Sequence, residues 1–255
     1  MKILYMPNSA GGILFDLMII RAFNRLGHKV ILALKEGFYY DYPVFWDYEN
    51  DPILADSLSD ARMIEDNNIS KNRLLDALRA NDLVVISDGT RERLNIYRTS
   101  VTFARAWKEA DVVIAKGKGN YRRLIQSSHQ FTRDVMAFYR EDSGAVHFRF
   151  KPKSSRVLVH SEKELVNKAE RIKRMMSEAR VNGQKVMFYS AIVGSIPGQT
   201  QTAVWVLNTF VQHLRNKLEE TYIINPAEHF EPGMDADDLM YMWEIVQRSG
   251  LLDIW

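Results

Sequence analysis

The densest chemistry in the chain lies in Ala115-Lys116-Gly117-Lys118-Gly119-Asn120-Tyr121-Arg122-Arg123-Leu124. Two glycines let a backbone come close to a ligand, while Lys116 offers a point charge and Asn120 an amide, a set that suits a phosphate or a carboxylate. The same residues also describe a tight strand-to-helix turn with solvated lysines. In Ser87-Asp88-Gly89-Thr90, Asp88 can orient a ligand or lend charge to a cation, or serve as an Asx turn or helix cap. Gly194 to Thr200 has the glycines of a phosphate cradle without the Gly-Lys-Ser/Thr ending of a P-loop. His229, with Glu228 and Glu231, has metal-binding residue types, but a single histidine beside Phe230 is as well explained by partial burial. Asp41, Asp47 and Asp51 read as solvated loop acids.

These groups need elements that hold them. Lys2 to Met6 is an apolar run, broken by Pro7-Asn8-Ser9-Ala10-Gly11-Gly12 before an apolar-periodic segment from Ile13 to Leu26. Gly27-His28 closes that helix and Val30 to Leu34 forms a second strand, so the first 35 residues predict one βαβ unit. Further strands are expected at 82–87, 111–115, 145–150, 185–192 and 221–225, and helices at 162–180, 202–218 and 235–249. The aromatic stretch from Phe38 to Tyr48 has no steady period and reads as a long loop or flap. Met234, Met240, Met242 and Trp243 read as gap-filling core. The pattern predicts a Rossmann-like, three-layer α/β/α fold with a mostly parallel sheet, a single α/β domain over 1–255. Residues 1–153 carry the candidate loops, and 154–255 supply the second half of the sheet. In such a sheet the strand ends and helix starts meet on one rim, which places the candidate sites at 8–12, 87–90, 116–120 and 190–200.

Composition narrows the functions. The 255 residues are 46% hydrophobic and 11% aromatic, enough apolar surface to offset the entropy of ordering the chain. Against 34 Lys and Arg stand 32 Asp and Glu, so no global field draws the protein to nucleic acid or anionic lipid. With no cysteine there are no disulfides, thiolate metal sites or thiol nucleophiles, which suits a reducing cytoplasm. The apolar start ends at Pro7, too early for a signal peptide.

Three ordered motifs carry a family resemblance. Ile114 to Tyr121 resembles the KGxGN segment of the metal-dependent damage-control phosphatases, a group also described as acidic-residue methyltransferase-like. Tyr5 to Asp16 is similar to that family's DNAGE-containing first loop and helix, and Pro52 to Ala61 to its PxLNDxTxxDA segment. The resemblance covers Met1 to Leu124 well and the rest loosely. It implies a divalent metal (Mn, Co, Ni or Mg) held by Asn8 and Asp56, with Lys116 and Asn120 on the phosphate side. Ser9, Gly11, Gly12, Asp88, Gly117 and Gly119 would line the ligand. The first loop departs from the pattern: Asn8 stands where the family has Asp, Ser9 where it has Asn, and Gly12 where it has Glu. Replacing carboxylates by an amide and a glycine removes charge that hard cations prefer, so metal affinity should fall.

The leading expectation is a metal-dependent phosphatase-like hydrolase acting on a small phosphorylated metabolite. The altered loop raises a second, a catalytically degenerate module that binds an anion or a partner. The Gly11-Gly12 and Gly27-His28 turns raise a third, a sugar-nucleotide-dependent transferase, although the half after Ser154 is short for a second Rossmann domain.

Overall fold

The computed structural model describes residues 1–190 and 200–255, and it divides into two compact units, Met1–Val157 and Leu158–Trp255. The Gly194–Thr200 cradle expected from the sequence lies outside the described residues, except for Thr200, which opens a helix.

The first unit is built on a seven-stranded sheet. Its strands are β1 (Lys2–Met6), β2 (Lys29–Leu34), β3 (Arg62–Ile64), β4 (Leu83–Ser87), β5 (Val112–Lys116), β6 (Asp134–Arg140) and β7 (Val146–Lys151). They are ordered β3-β4-β2-β1-β5-β6-β7. Every pairing is parallel except that of β7 with β6. Ile3 to Met6, Val30 to Leu34 and Leu83 to Ile86 are buried throughout, as expected for parallel strands covered on both faces.

Two helical layers provide the cover. Helix α1 (Ile13–Arg25) turns Ile13, Leu17 and Ile20 onto one face of the sheet, where they join Tyr5, Leu32 and, from α3 (Pro52–Ser57), Leu54. On the other face Leu74 and Leu78 of α4 (Lys71–Ala80) and Phe103 and Trp107 of α5 (Val101–Glu109) pack on Leu4, Val84 and Val113. The result is the three-layer α/β/α arrangement that the sequence predicts. The aromatic stretch is a loop only as far as Val44, and its end forms a short helix, α2 (Phe45–Asn50).

Topology sets the working rim. From β1 the chain moves to β2 on one side, and after β4 it returns to place β5 on the other side of β1. The strand order therefore reverses between β1 and β5, and the crevice outside their carboxyl ends is where open α/β sheets bind ligands.

The second unit holds α7 (Glu162–Val181), β8 (Lys185–Phe188), α8 (Thr200–Arg215), β9 (Thr221–Ile224) and α9 (Ala236–Gln247). Its two strands pair with each other, in parallel, in a sheet of their own, where the sequence reading has them continue the first sheet. Met234, Met242 and Trp243 are buried as expected, but Met240 is 70% exposed because it falls on the outer side of α9. Among the described residues no helix is long and apolar enough to cross a membrane.

Candidate functional site

Two turns face each other across the β1/β5 crevice. After β1, Pro7, Asn8 and Ser9 lead into a 3₁₀ turn at Ala10–Gly12 and then into α1. After β5, Lys116 and Gly117 lead into the short helix α6 (Lys118–Asn120), which continues as a π-helical turn at Tyr121–Ile125. Gly117 has φ 95° and ψ 153°, a conformation open essentially to glycine alone. A Cβ there would stand 2.7 Å from Cβ, Cγ and Nδ2 of Asn8. A Cβ on Gly12 would stand 2.9 Å from the Lys116 ammonium. Thus Asn8 rests on Gly117, and Lys116 reaches across the crevice to lie over Gly12.

The ammonium has a fixed partner. Lys116 Nζ donates to Asp16 Oδ1 at 2.7 Å, and the Tyr5 hydroxyl donates to the same oxygen at 2.8 Å. Asp16 is wholly buried, whereas the Lys116 side chain keeps 24% of its surface exposed. Burial pushes the Asp16 carboxyl above its ordinary range, and the hydrogen bonds from Lys116 and Tyr5 pull against that shift. Burial likewise raises Tyr5, helped by the charge of Asp16. The other carboxylate oxygen, Asp16 Oδ2, is buried without a donor, and so is Asn8 Oδ1. Buried acceptors normally have partners, and leaving one bare costs about 1–3 kcal/mol.

A second buried pair closes the neighbouring strand ends. Lys35, just past β2, donates to Asp88 Oδ2 at 2.6 Å and to Thr90 Oγ1 at 2.7 Å. Asp88 also accepts from the Thr90 backbone and hydroxyl. Burial raises the Asp88 carboxyl despite the adjacent Lys35. Above this pair folds the aromatic flap. The rings of Tyr39 and Tyr42 lie 6.0 and 5.8 Å from the Lys35 ammonium. The flap is tied to the first loop by Ala10 N–H donating to Asp41 O at 2.6 Å. Gly119 sits between this flap and the helix beyond it, its missing Cβ 3.2 Å from both Tyr42 Oη and Arg123 Nη1.

The structure therefore brings together Asn8, Gly12, Lys116 and Gly117, with Ser9 and Gly11 in the same loop and Gly119 in the same turn. Asn120 is buried and donates its amide to the Lys116 carbonyl at 2.9 Å, so it closes the turn from within. Asp88 is committed to Lys35 and to its own Asx-type turn. Asp56 is exposed on α3, a helix that starts at the Asp51 cap and Pro52. The same Pro-x-x-x-Asp spacing occurs earlier as Pro43 to Asp47, and this copy lies at the rim: Pro43 lines the cleft beside Lys35 and Asn120, and Val44 bridges Lys35. Its Asp47 accepts from Val44 N–H at 2.8 Å and starts α2. Sequence reasoning missed Tyr5, Asp16, Lys35 and Tyr42. His229 lies in the second unit against Trp243, its ring pushed below the usual histidine range by burial. Among the described residues no three His, Asp or Glu side chains are grouped to hold a metal.

The profile of the Damage-control phosphatase ARMT1-like domain matches residues 1–168, which include the whole seven-stranded sheet and both facing turns. The chain belongs to that family. Among solved structures it is similar to a DUF89 family protein from Pyrococcus horikoshii, at 25% identity over 55% of this chain, with a TM-score of 0.40. The chain spans 39% of that protein's length. No curated protein matches the chain.

Proposed function

We propose that this ARMT1-like chain is a metal-dependent phosphatase-like hydrolase that takes a small phosphorylated metabolite into the β1/β5 crevice. The observation that carries the reading is the Lys116 ammonium fixed on Asp16 Oδ1, whose second oxygen lacks a donor, in a crevice where the facing loop adds another bare buried oxygen, Asn8 Oδ1. Bare oxygen acceptors are the ligand type that a hard divalent cation takes. Asn8 and Asp16 are the residues that would hold it. Two protein oxygens suffice where phosphate and water complete the shell, which is how Mg²⁺ is commonly bound. A divalent ion there would supply charge to a phosphoryl group as a Lewis acid.

The remaining work falls to the chain's own groups. Lys116 offers its exposed side to phosphate oxygens and offsets the charge that grows on them during transfer. Asp16 and Tyr5 hold that ammonium, so little reorganisation is needed when substrate arrives. Tyr42 and the rest of the flap cover Lys35 and Gly119 and limit water at the rim. Phosphate release should be assayed on phospho-sugars and phosphopantetheine-like compounds with Mn²⁺, Co²⁺, Ni²⁺ or Mg²⁺. Release that Lys116→Met abolishes is the expected result. No release with any of the four ions would overturn the proposal.

One observation favours a second reading, a module that binds an anion without turnover: the first loop holds Asn8, Ser9 and Gly12 and contributes no carboxylate of its own. That reading expects thermal stabilisation by phosphorylated ligands without product, and any turnover removes it.

A further inference from the structure

A groove of about 610 Å³ runs away from the crevice, walled by the segment after β4 and the π-helical turn after α6. Leu94 lines both this groove and the cleft that holds Lys35, Asp88 and Asn120, so the two adjoin at that residue. Arg123 marks the junction, since it lines the groove while its Nη1 flanks Gly119 of the Lys116–Asn120 turn.

The charge in this groove is not balanced. Glu92 is paired with Arg98 at 3.0 Å, which leaves Arg93 and Arg123 lining the same space with no ion pair or hydrogen bond among the described residues. Arg123 is half-buried and Arg93 exposed. A guanidinium without a protein partner favours an anion such as carboxylate or phosphate, which it can bind through two parallel hydrogen bonds. The groove also has an aromatic lining: Tyr97 meets His129 edge to face at 5.5 Å, its hydroxyl lies 3.1 Å from His129 Nδ1, and His129 packs on Phe131. Tyr97 is nonetheless 80% exposed, which leaves a ring surface for the carbon skeleton of a ligand.

We infer that the substrate carries two anionic groups: a phosphate at Lys116 and a second phosphate or a carboxylate gripped by Arg93 and Arg123. This rests on the proposed phosphate site and specifies what that site accepts. Phosphate and carboxylate share the same recognition chemistry here, so the test includes both.

Calorimetric titration of the full chain with matched ligands separates the possibilities. One pair is fructose 1-phosphate and fructose 1,6-bisphosphate, and the other glycerol 3-phosphate and 3-phosphoglycerate. The second anion should tighten binding about tenfold or more in at least one pair, the pair identifying which anion is taken, since a hydrogen bond to a charged group is worth about that much. In Arg93→Ala and Arg123→Ala the ratio of the two affinities should collapse toward one, and Arg93→Lys should restore part of it. Circular dichroism confirms that the variants fold. Equal affinity within both pairs, or a ratio unchanged in the double variant, overturns the inference while leaving the phosphate site standing. Failure of all four ligands to bind overturns both.

Discussion

The reach of Lys116 over Gly12 gives two glycine substitutions opposite consequences. Gly12 has φ −105° and ψ 0°, values that alanine tolerates, so Gly12→Ala adds no backbone strain. Its new methyl would meet only the Lys116 ammonium, at 2.9 Å, and the end of a flexible side chain can retreat by a few tenths of an ångström. Alanine is a poorer helix cap than glycine, but it also restricts the unfolded chain, so stability should stay within about 1 kcal/mol of the parent. The ammonium keeps its bond to Asp16 but is shifted from the position where it meets a phosphate. Loss of one charge-assisted hydrogen bond corresponds to about 1.5–3 kcal/mol, roughly a tenfold to 150-fold loss of phosphate affinity.

Gly117→Ala should do the reverse damage. Its φ of 95° strains any side chain by about 1–3 kcal/mol, and the methyl would lie 2.7 Å from three atoms of Asn8. A total near 3 kcal/mol or more is expected, with Asn8 driven from its place. Urea denaturation and calorimetric titration with inorganic phosphate measure the two quantities separately. If Gly12→Ala kept the parent's phosphate affinity, Lys116 would not be the anion's contact. A Gly117→Ala variant with an unchanged denaturation midpoint would show that the two turns do not meet as described.

Three further outcomes follow from buried groups. Lys35→Met or Asp88→Leu alone should destabilise by about 3–5 kcal/mol because each strands the other's charge, whereas the double replacement should cost far less; additive losses in a denaturation cycle would argue against a buried pair. Tyr5→Phe removes one of the two donors to Asp16 Oδ1 and should cost about 1.5–3 kcal/mol of stability while weakening phosphate binding less than Lys116→Met does; an inverted order would place Tyr5, not Lys116, at the ligand. His229 has its pKa lowered by burial, so the folded chain binds fewer protons there than the unfolded one, and stability from this group is complete above pH 6.5 and lost as pH falls through the folded value. His229→Phe should flatten that acid limb, and a slope unchanged between pH 7.5 and 5 would refute the assignment.

What the sequence disclosed, and what it hid, divides along a physical line. Apolar runs such as Val30 to Leu34 and Leu83 to Ile86 identify buried parallel strands because they are short, rich in β-branched residues and bounded by turn residues. β3 escaped notice because three residues, Arg62 to Ile64, are too few to show a period. β6 was legible in principle, since Val135 to Tyr139 is an apolar run whose alternate residues, Val135, Ala137 and Tyr139, are buried. At the site, glycines and Lys116 were legible because their chemistry is local: a turn that needs φ 95° announces itself by glycine. Asp16 was legible in principle, since it occupies the inward stripe of α1 with Ile13, Leu17 and Ile20, and an acid on an apolar stripe needs a buried partner. That its partner is Lys116, a hundred residues on, is a property of strand order and not of either segment. Asp56 shows the converse. Its spacing from Pro52 matches the family motif, yet Pro43 and Asp47 have the same spacing, and only the bridge between Lys35 and Val44 determines which copy meets the rim. Spacing fixes what a segment can do once it is in place, and the sheet's connectivity decides which segment arrives there.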